Sequence, residues 1–131
     1  MYLLDTNTCI FLKNKKPEHV LSRLRDAIDD GVYLSSISVA ELQFGVYSSQ
    51  HIEKNRLSLT EFLAPFEILE FDDADAEEFG KLRSDLKVRG EPIGPYDMLI
   101  AAQALARDLI LVTNNTGEFT RIQGLKLEDW K

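Results

Sequence analysis

Asp5, Glu41, Asp97 and Glu118 are the side chains best able to do chemistry together. Asp5 ends the first expected strand, Glu41 follows the second, and Glu118 follows the fourth. Asp97 opens the helix that leads into the fourth. Parallel α/β folds gather the carboxyl ends of their strands into one crevice, where ligands bind. Carboxylates brought together without a compensating positive charge repel one another. A hard divalent cation such as Mg²⁺ or Mn²⁺ relieves that repulsion. Such a site suits attack of metal-activated water on a phosphodiester.

Each acidic residue also has a purely structural reading. Asp5 can cap the helix that follows it. Ser38-Val39-Ala40-Glu41 fits a capping box, with Glu41 turned back to a backbone N–H. Asp97 falls in the first turn after Gly94-Pro95, where the helix dipole favours a negative charge. Glu118 follows Asn114-Asn115-Thr116-Gly117, which reads as a turn. Four independent caps, however, need not converge anywhere, whereas strand ends in one sheet do.

Other chemistries lack their residues. His19 and His51 stand in polar helical contexts away from the acidic positions and read as surface residues. No Cys/His cluster suggests zinc. No Walker A, G-x-G-x-x-G or G-x-S-x-G sequence is present. The start Asp5-Thr6-Asn7 lacks the second Asp of the D-x-D opening used by haloacid-dehalogenase-like phosphatases. Cys9 reads as a small buried side chain.

The elements that would position these residues alternate strand and helix, which predicts an α/β fold with a mainly parallel sheet in a single domain, residues 1–131. Expected strands are Tyr2 to Leu4, Val32 to Ser35, Ile68 to Phe71, Leu109 to Thr113 and Lys126 to Glu128. Expected helices start near Thr6 and Pro17, run from Ser38 to Ser48, and start again near Ile52. A long one covers Ala74 to Val88. The last opens at Gly94-Pro95, with Met98, Ala101, Ala102 and Leu105 as its buried stripe. That helix should run antiparallel to the sheet and bring Asp97 to the strands' carboxyl edge.

The chain has 131 residues, 44% hydrophobic and 28% charged, within the range of globular proteins. No apolar stretch is long enough to cross a membrane, the N-terminus has no basic region or cleavage site, and one cysteine forms no internal disulfide; the expectation is a cytoplasmic protein. The net charge of −7 argues against non-specific nucleic-acid binding and suits a basic partner. Basic residues do cluster locally at Lys13, Lys15 and Lys16, and at Lys81, Arg83, Lys87 and Arg89, where a solvated surface is the simplest reading.

MYLLDTNTCIFL, SSISVAELQFGV, GPYDMLIAAQALA and LVTNNTGEFTRIQGLKLEDW resemble, in order and spacing, the VapC toxins of the PIN-domain ribonucleases. The resemblance covers essentially the whole chain. It implies a three-layer α/β/α sandwich around a mainly parallel sheet of four to five strands. It implies Mg²⁺- or Mn²⁺-dependent endonucleolytic cleavage of structured RNA, tRNA or an rRNA loop, leaving a 5′-phosphate and a 3′-hydroxyl. By analogy Asp5, Glu41 and Asp97 hold the metal. Thr113 and Asn115 fall at supporting positions, and where many relatives carry an Asp this chain has Asn115, so Asn115 and Glu118 compete for the fourth place. Thr6 and Asn7 are candidates to orient Asp5. The resemblance also implies a VapB-type antitoxin whose C-terminal segment can place an Arg at the acidic site, and a homodimer. Phe44, Tyr47 and the helix carrying Leu59, Phe62 and Phe66 offer apolar contact surface, or are plain core. Lys13, Lys15, Lys16, Arg83 and Lys87 are candidates to grip RNA. The alternative is a non-catalytic acidic module that binds a basic protein.

Overall fold

A computed structural model describes all of residues 1–131. In chain order the elements are β1 Tyr2–Leu4, α1 Thr6–Lys15, α2 Glu18–Ala27, β2 Val32–Ser35, α3 Ser36–Tyr47, α4 Ile52–Leu63, β3 Glu67–Leu69, α5 Asp73–Arg89, α6 Pro95–Ala106, β4 Ile110–Val112, α7 Thr116–Phe119 and β5 Lys126–Glu128. A 3₁₀ turn, Ile28–Asp30, extends α2 to the stop at Gly31, whose φ of 96° suits only glycine.

The five strands form one parallel sheet in the order β3-β2-β1-β4-β5. The chain moves outward from β1 to β2 and β3, then returns to lay β4 against the other side of β1. The strand order therefore reverses between β1 and β4, the position at which open α/β sheets bind ligands beyond the carboxyl ends of their strands.

Helices cover both faces, so the central strands are apolar on both. Leu3 and Leu111 point to one side, into a core with Leu82 and Leu86 of α5, Met98 and Ile100 of α6, and Phe119. Leu4, Leu34 and Val112 point to the other, against Cys9 and Leu12 of α1, Val20 of α2, Leu42 and Val46 of α3, and Leu59 of α4. This is the expected α/β/α sandwich. No helix is long and apolar enough to cross a membrane.

Four expectations need correction. β3 spans Glu67–Leu69 rather than Ile68 to Phe71. Its partner β2 ends at Ser35 because α3 begins, so the ladder stops at the Ser35–Leu69 pair and the Phe71 N–H donates to Ser36 Oγ instead. α3 begins at Ser36, capped by Ser35, whose Oγ accepts from the Ile37 N–H at 3.1 Å. The Ser38–Glu41 capping box does not form, because Ser38 already lies inside the helix. α6 is buried well beyond the Met98, Ala101, Ala102, Leu105 stripe. Ile100, Gln103 and Ala104 are also buried, and Leu105 is only half-buried, since α6 is wedged between the sheet and α5. Finally, the polar stretch before Glu118 is not a plain turn, for α7 begins within it.

Candidate active site

Asp5 and Thr113 stand immediately beyond the carboxyl ends of β1 and β4, on either side of the reversal point. The Asp5 N–H donates to the Val112 carbonyl at 3.0 Å, which carries the ladder one residue past β1. Asp5 is then the N-cap of α1, with extended backbone, and its Oδ1 accepts from the Thr8 N–H at 2.8 Å. Thr8 Oγ1 in turn donates to the Val112 carbonyl. Asp5 is only 2% exposed, so the direction of its carboxylate is set by the cap rather than by solvent.

Thr6 and Ser38 position Glu41. Thr6 Oγ1 lies 2.6 Å from Glu41 Oε1 and 2.9 Å from Ser38 Oγ. The carboxylate can only accept, so the single hydroxyl proton of Thr6 goes to it and Ser38 donates to Thr6. Thr6 therefore holds Glu41, across from α1 to α3, and not Asp5 as its sequence position suggests. Asn7 is exposed and makes no hydrogen bond with its side chain. Ser38 is fully buried and is a support for the site rather than a helix cap. The signal in the sequence is its place one turn before Glu41, which puts both on the same face of α3.

Glu118 sits in the first turn of α7, and Asn115 Nδ2 donates to its Oε2 at 3.2 Å. The Asn115 N–H is itself held by Thr113 Oγ1 at 2.9 Å. The side-chain amide of Asn115 thus braces the Glu118 carboxylate, and the buried Thr113 holds the Asn115 backbone.

Asp97 follows Gly94-Pro95 at the start of α6. A Cβ on Gly94 would stand 3.7 Å from Asp97 Oδ2, so that carboxylate lies over the bare Gly94 backbone. Half-burial pushes the Asp97 carboxyl up to about 6, and the negative charges of Asp5, Glu118 and Glu41 push in the same direction. Asp97 therefore feels all three other carboxylates. No ion pair of the molecule involves any of the four. Cys9, buried beneath the site, has its thiol pushed up by burial and by the Asp5 charge, which leaves it protonated and unreactive.

No three His, Cys, Asp or Glu side chains are clustered closely enough to make a coordination sphere by themselves. Mg²⁺ keeps several waters and is held through one or two carboxylates, whereas a structural zinc site needs all its ligands from the protein. The donors offered are oxygens, and their charge is uncompensated, so the residues present fit a hard divalent cation.

Among the basic candidates, Lys13 is half-buried and lines a cavity that also touches Glu41. Lys15, Lys16, Arg83 and Lys87 lie at the surface, as do His19 and His51. Of the apolar contact candidates, Phe44 and Tyr47 are 74% and 61% exposed on α3. Leu59 is core, and Phe62 and Phe66 pack against it.

The PIN domain model matches residues 2–125 of the chain. The tRNA(fMet)-specific endonuclease VapC of Salmonella typhimurium is 41% identical over 129 residues, covering 98% of this chain and 97% of that protein. Ribonuclease VapC2 of Rickettsia felis is 42% identical over 131 residues, covering 99% and 98%. The crystal structure of VapBC2 from Rickettsia felis, bound to a DNA fragment from their promoter, superposes with a TM-score of 0.96 at 40% identity and covers 99% of this chain and 98% of that one. With matched motifs, fold and near-complete coverage in agreement, the chain belongs to the VapC ribonucleases of the PIN-domain family.

Proposed function

We propose that this chain is a Mg²⁺- or Mn²⁺-dependent endoribonuclease and the toxin of a toxin–antitoxin pair. The observation that carries this reading is that Asp97 lies within reach of the charges of Asp5, Glu118 and Glu41, from separate elements beside the sheet's reversal point, with none of the four in an ion pair. Repulsion of that kind disfavours a folded chain unless a ligand makes use of it. A bound Mg²⁺ or Mn²⁺ supplies a water of lowered pKa and neutralises charge on the phosphate under attack.

Asp5, Glu41 and Asp97 would hold the ion, directly or through its waters, and Glu118 would take the fourth place. Thr6 and Ser38 keep Glu41 directed at the crevice. Thr113 and Asn115 do the same for Glu118. No histidine stands near the cluster to serve as general base. Lys13, beside Glu41, is placed to meet a substrate phosphate.

The substrate we infer is tRNA, after the activity for which the Salmonella relative is named, and the partner a basic VapB-type antitoxin, after the toxin–antitoxin complex of the Rickettsia relative. The acidic site and the −7 charge are complementary to a basic segment. Exposed Phe44 and Tyr47 offer an apolar face for a second copy.

A tRNA pool incubated with and without Mn²⁺ tests the central claim. The expected result is cleavage at few sites by the wild type, abolished by chelation and by Asp5→Asn. Undiminished cutting by Asp5→Asn would sink the mechanism.

A further inference from the structure

A groove lies between the C-terminal half of α5 and the segment that leads into α6. It encloses about 570 Å³. Pro92, Ile93, Pro95 and Met98 give it an apolar floor, and Arg83 and Lys87, one turn apart on α5, give it a basic rim. No acidic side chain neutralises that rim. Asp85 and Glu91 are both taken up by Arg89, and neither Arg83 nor Lys87 joins an ion pair. The Arg83 guanidinium rests 5.9 Å from the Phe79 ring centre, which steadies it while leaving its in-plane N–H groups free. One end of the groove lies next to Asp97, since Ile93 and Pro95 of its floor flank Gly94, over whose backbone the Asp97 carboxylate lies.

We propose that this groove seats an unpaired RNA segment next to the scissile phosphodiester, with Arg83 and Lys87 on its phosphates and the apolar floor of Pro92, Ile93, Pro95 and Met98 against its bases. The proposal rests on the ribonuclease reading above and adds a substrate-binding surface to it. The sign of the rim selects the occupant. A basic protein segment suits the carboxylates but is repelled by Arg83 and Lys87, whereas a polyanion is attracted. The floor selects its form. Unstacked bases offer π-faces to aromatic and apolar surfaces, and a duplex hides those faces within its own stack. Position completes the case, since a strand lying here continues directly past Asp97.

Binding of a short, labelled, mixed-sequence single-stranded RNA to the Asp5→Asn protein, followed by fluorescence anisotropy across a salt series in Mg²⁺, tests the assignment. Arg83→Ala/Lys87→Ala should bind about tenfold more weakly. Its slope of log affinity against log salt should fall by about 1.4, because each phosphate neutralised on a single strand contributes roughly 0.7. Pro92→Asp, which puts a negative charge on the apolar floor, should weaken binding by about tenfold. Lys54→Ala/Lys126→Ala removes the same charge far from the groove and should leave affinity and slope unchanged. Unaltered affinity and slope in Arg83→Ala/Lys87→Ala would overturn the proposal, and so would a duplex of the same sequence binding as tightly as the strand. Cleavage assays separate the two levels. If the wild type cuts tRNA and Arg83→Ala/Lys87→Ala keeps its kcat/KM, the groove assignment fails alone. A wild type that cuts no RNA removes the ribonuclease reading itself.

Discussion

Thr6 stands between Ser38 and Glu41, and its one proton decides where the Glu41 carboxylate points. Thr6→Val keeps the volume and removes that donor. It should lower kcat/KM by about 10- to 100-fold and raise the Mn²⁺ concentration needed for half-maximal activity, the usual size of an effect at a residue that orients a ligand. Thr6→Ser should recover most of the loss; equal activity in Thr6→Val and wild type would show that Glu41 needs no such brace. Asp97 makes a second prediction at this scale. Its carboxyl is raised from the ordinary 3.8 to about 6, so between those values the folded chain binds more protons than the unfolded one. Stability of the chelator-treated protein should therefore be greatest below about pH 4 as far as this group is concerned, fall as pH rises, and level off above about pH 6. The group is half-exposed, and screening leaves a loss on the order of 1 kcal/mol. Urea unfolding at both ends of that window should show the loss in wild type and not in Asp97→Asn, which should be inactive yet more stable near neutral pH. The types of these residues are legible in the sequence. Their partners are not, because Thr6 and Glu41 are brought together by the packing of α1 on α3, over 35 positions.

Helix α6 carries Asp97 at one end and is anchored at the other. Arg107, at its C-cap, pairs with Asp75 at 3.1 Å and donates to the Glu70 carbonyl at 2.7 Å, while Gln103 Nε2 donates to Asp75 Oδ2. Asp75 is fully buried and also closes the capping box that starts α5. One network thus joins the end of β3, the start of α5 and the end of α6. Arg107→Ala would strand the Asp75 charge in the interior, and unfolding should become easier by about 3 kcal/mol. A change below about 0.5 kcal/mol in urea titrations would show that the α5–α6 packing holds α6 without it. The opening of α6 is evident from Gly94-Pro95, and its direction from the handedness of parallel crossovers. The opening of α3 is ambiguous in the sequence because Ser35, Ser36 and Ser38 can each cap a helix. Only the end of the β2 ladder decides among them.

The whole molecule carries a net charge of −7 and concentrates part of it in one crevice. An ion bound only by the folded state stabilises it by mass action, about 2.7 kcal/mol at a concentration of one hundred times Kd. Mn²⁺ should therefore raise the melting temperature of wild type. The shift should vanish in Asp5→Asn and shrink in Asp97→Asn. No shift in wild type would favour a binding module over an enzyme. Charge also separates the molecule's two surfaces, a negative crevice that suits a basic protein segment and the Arg83–Lys87 groove that repels one.

The sequence by itself determined the α/β class, the parallel sheet, the acidic residue types and the family motifs. These follow from local pattern: apolar runs for strands buried on both faces, helix caps, and acidic residues placed where strands end. Tertiary structure decided which groups meet. The reversal of strand order between β1 and β4 brings Asp5 and Thr113 side by side, and the packing of α3, α6 and α7 around it lets Asp97 feel three distant charges. The Thr113–Asn115–Glu118 bonds are local, within six residues, but the approach of Asp5 to Thr113 and of the other carboxylates to Asp97 depends on the stacking of elements far apart in the chain, which no local pattern of residues encodes.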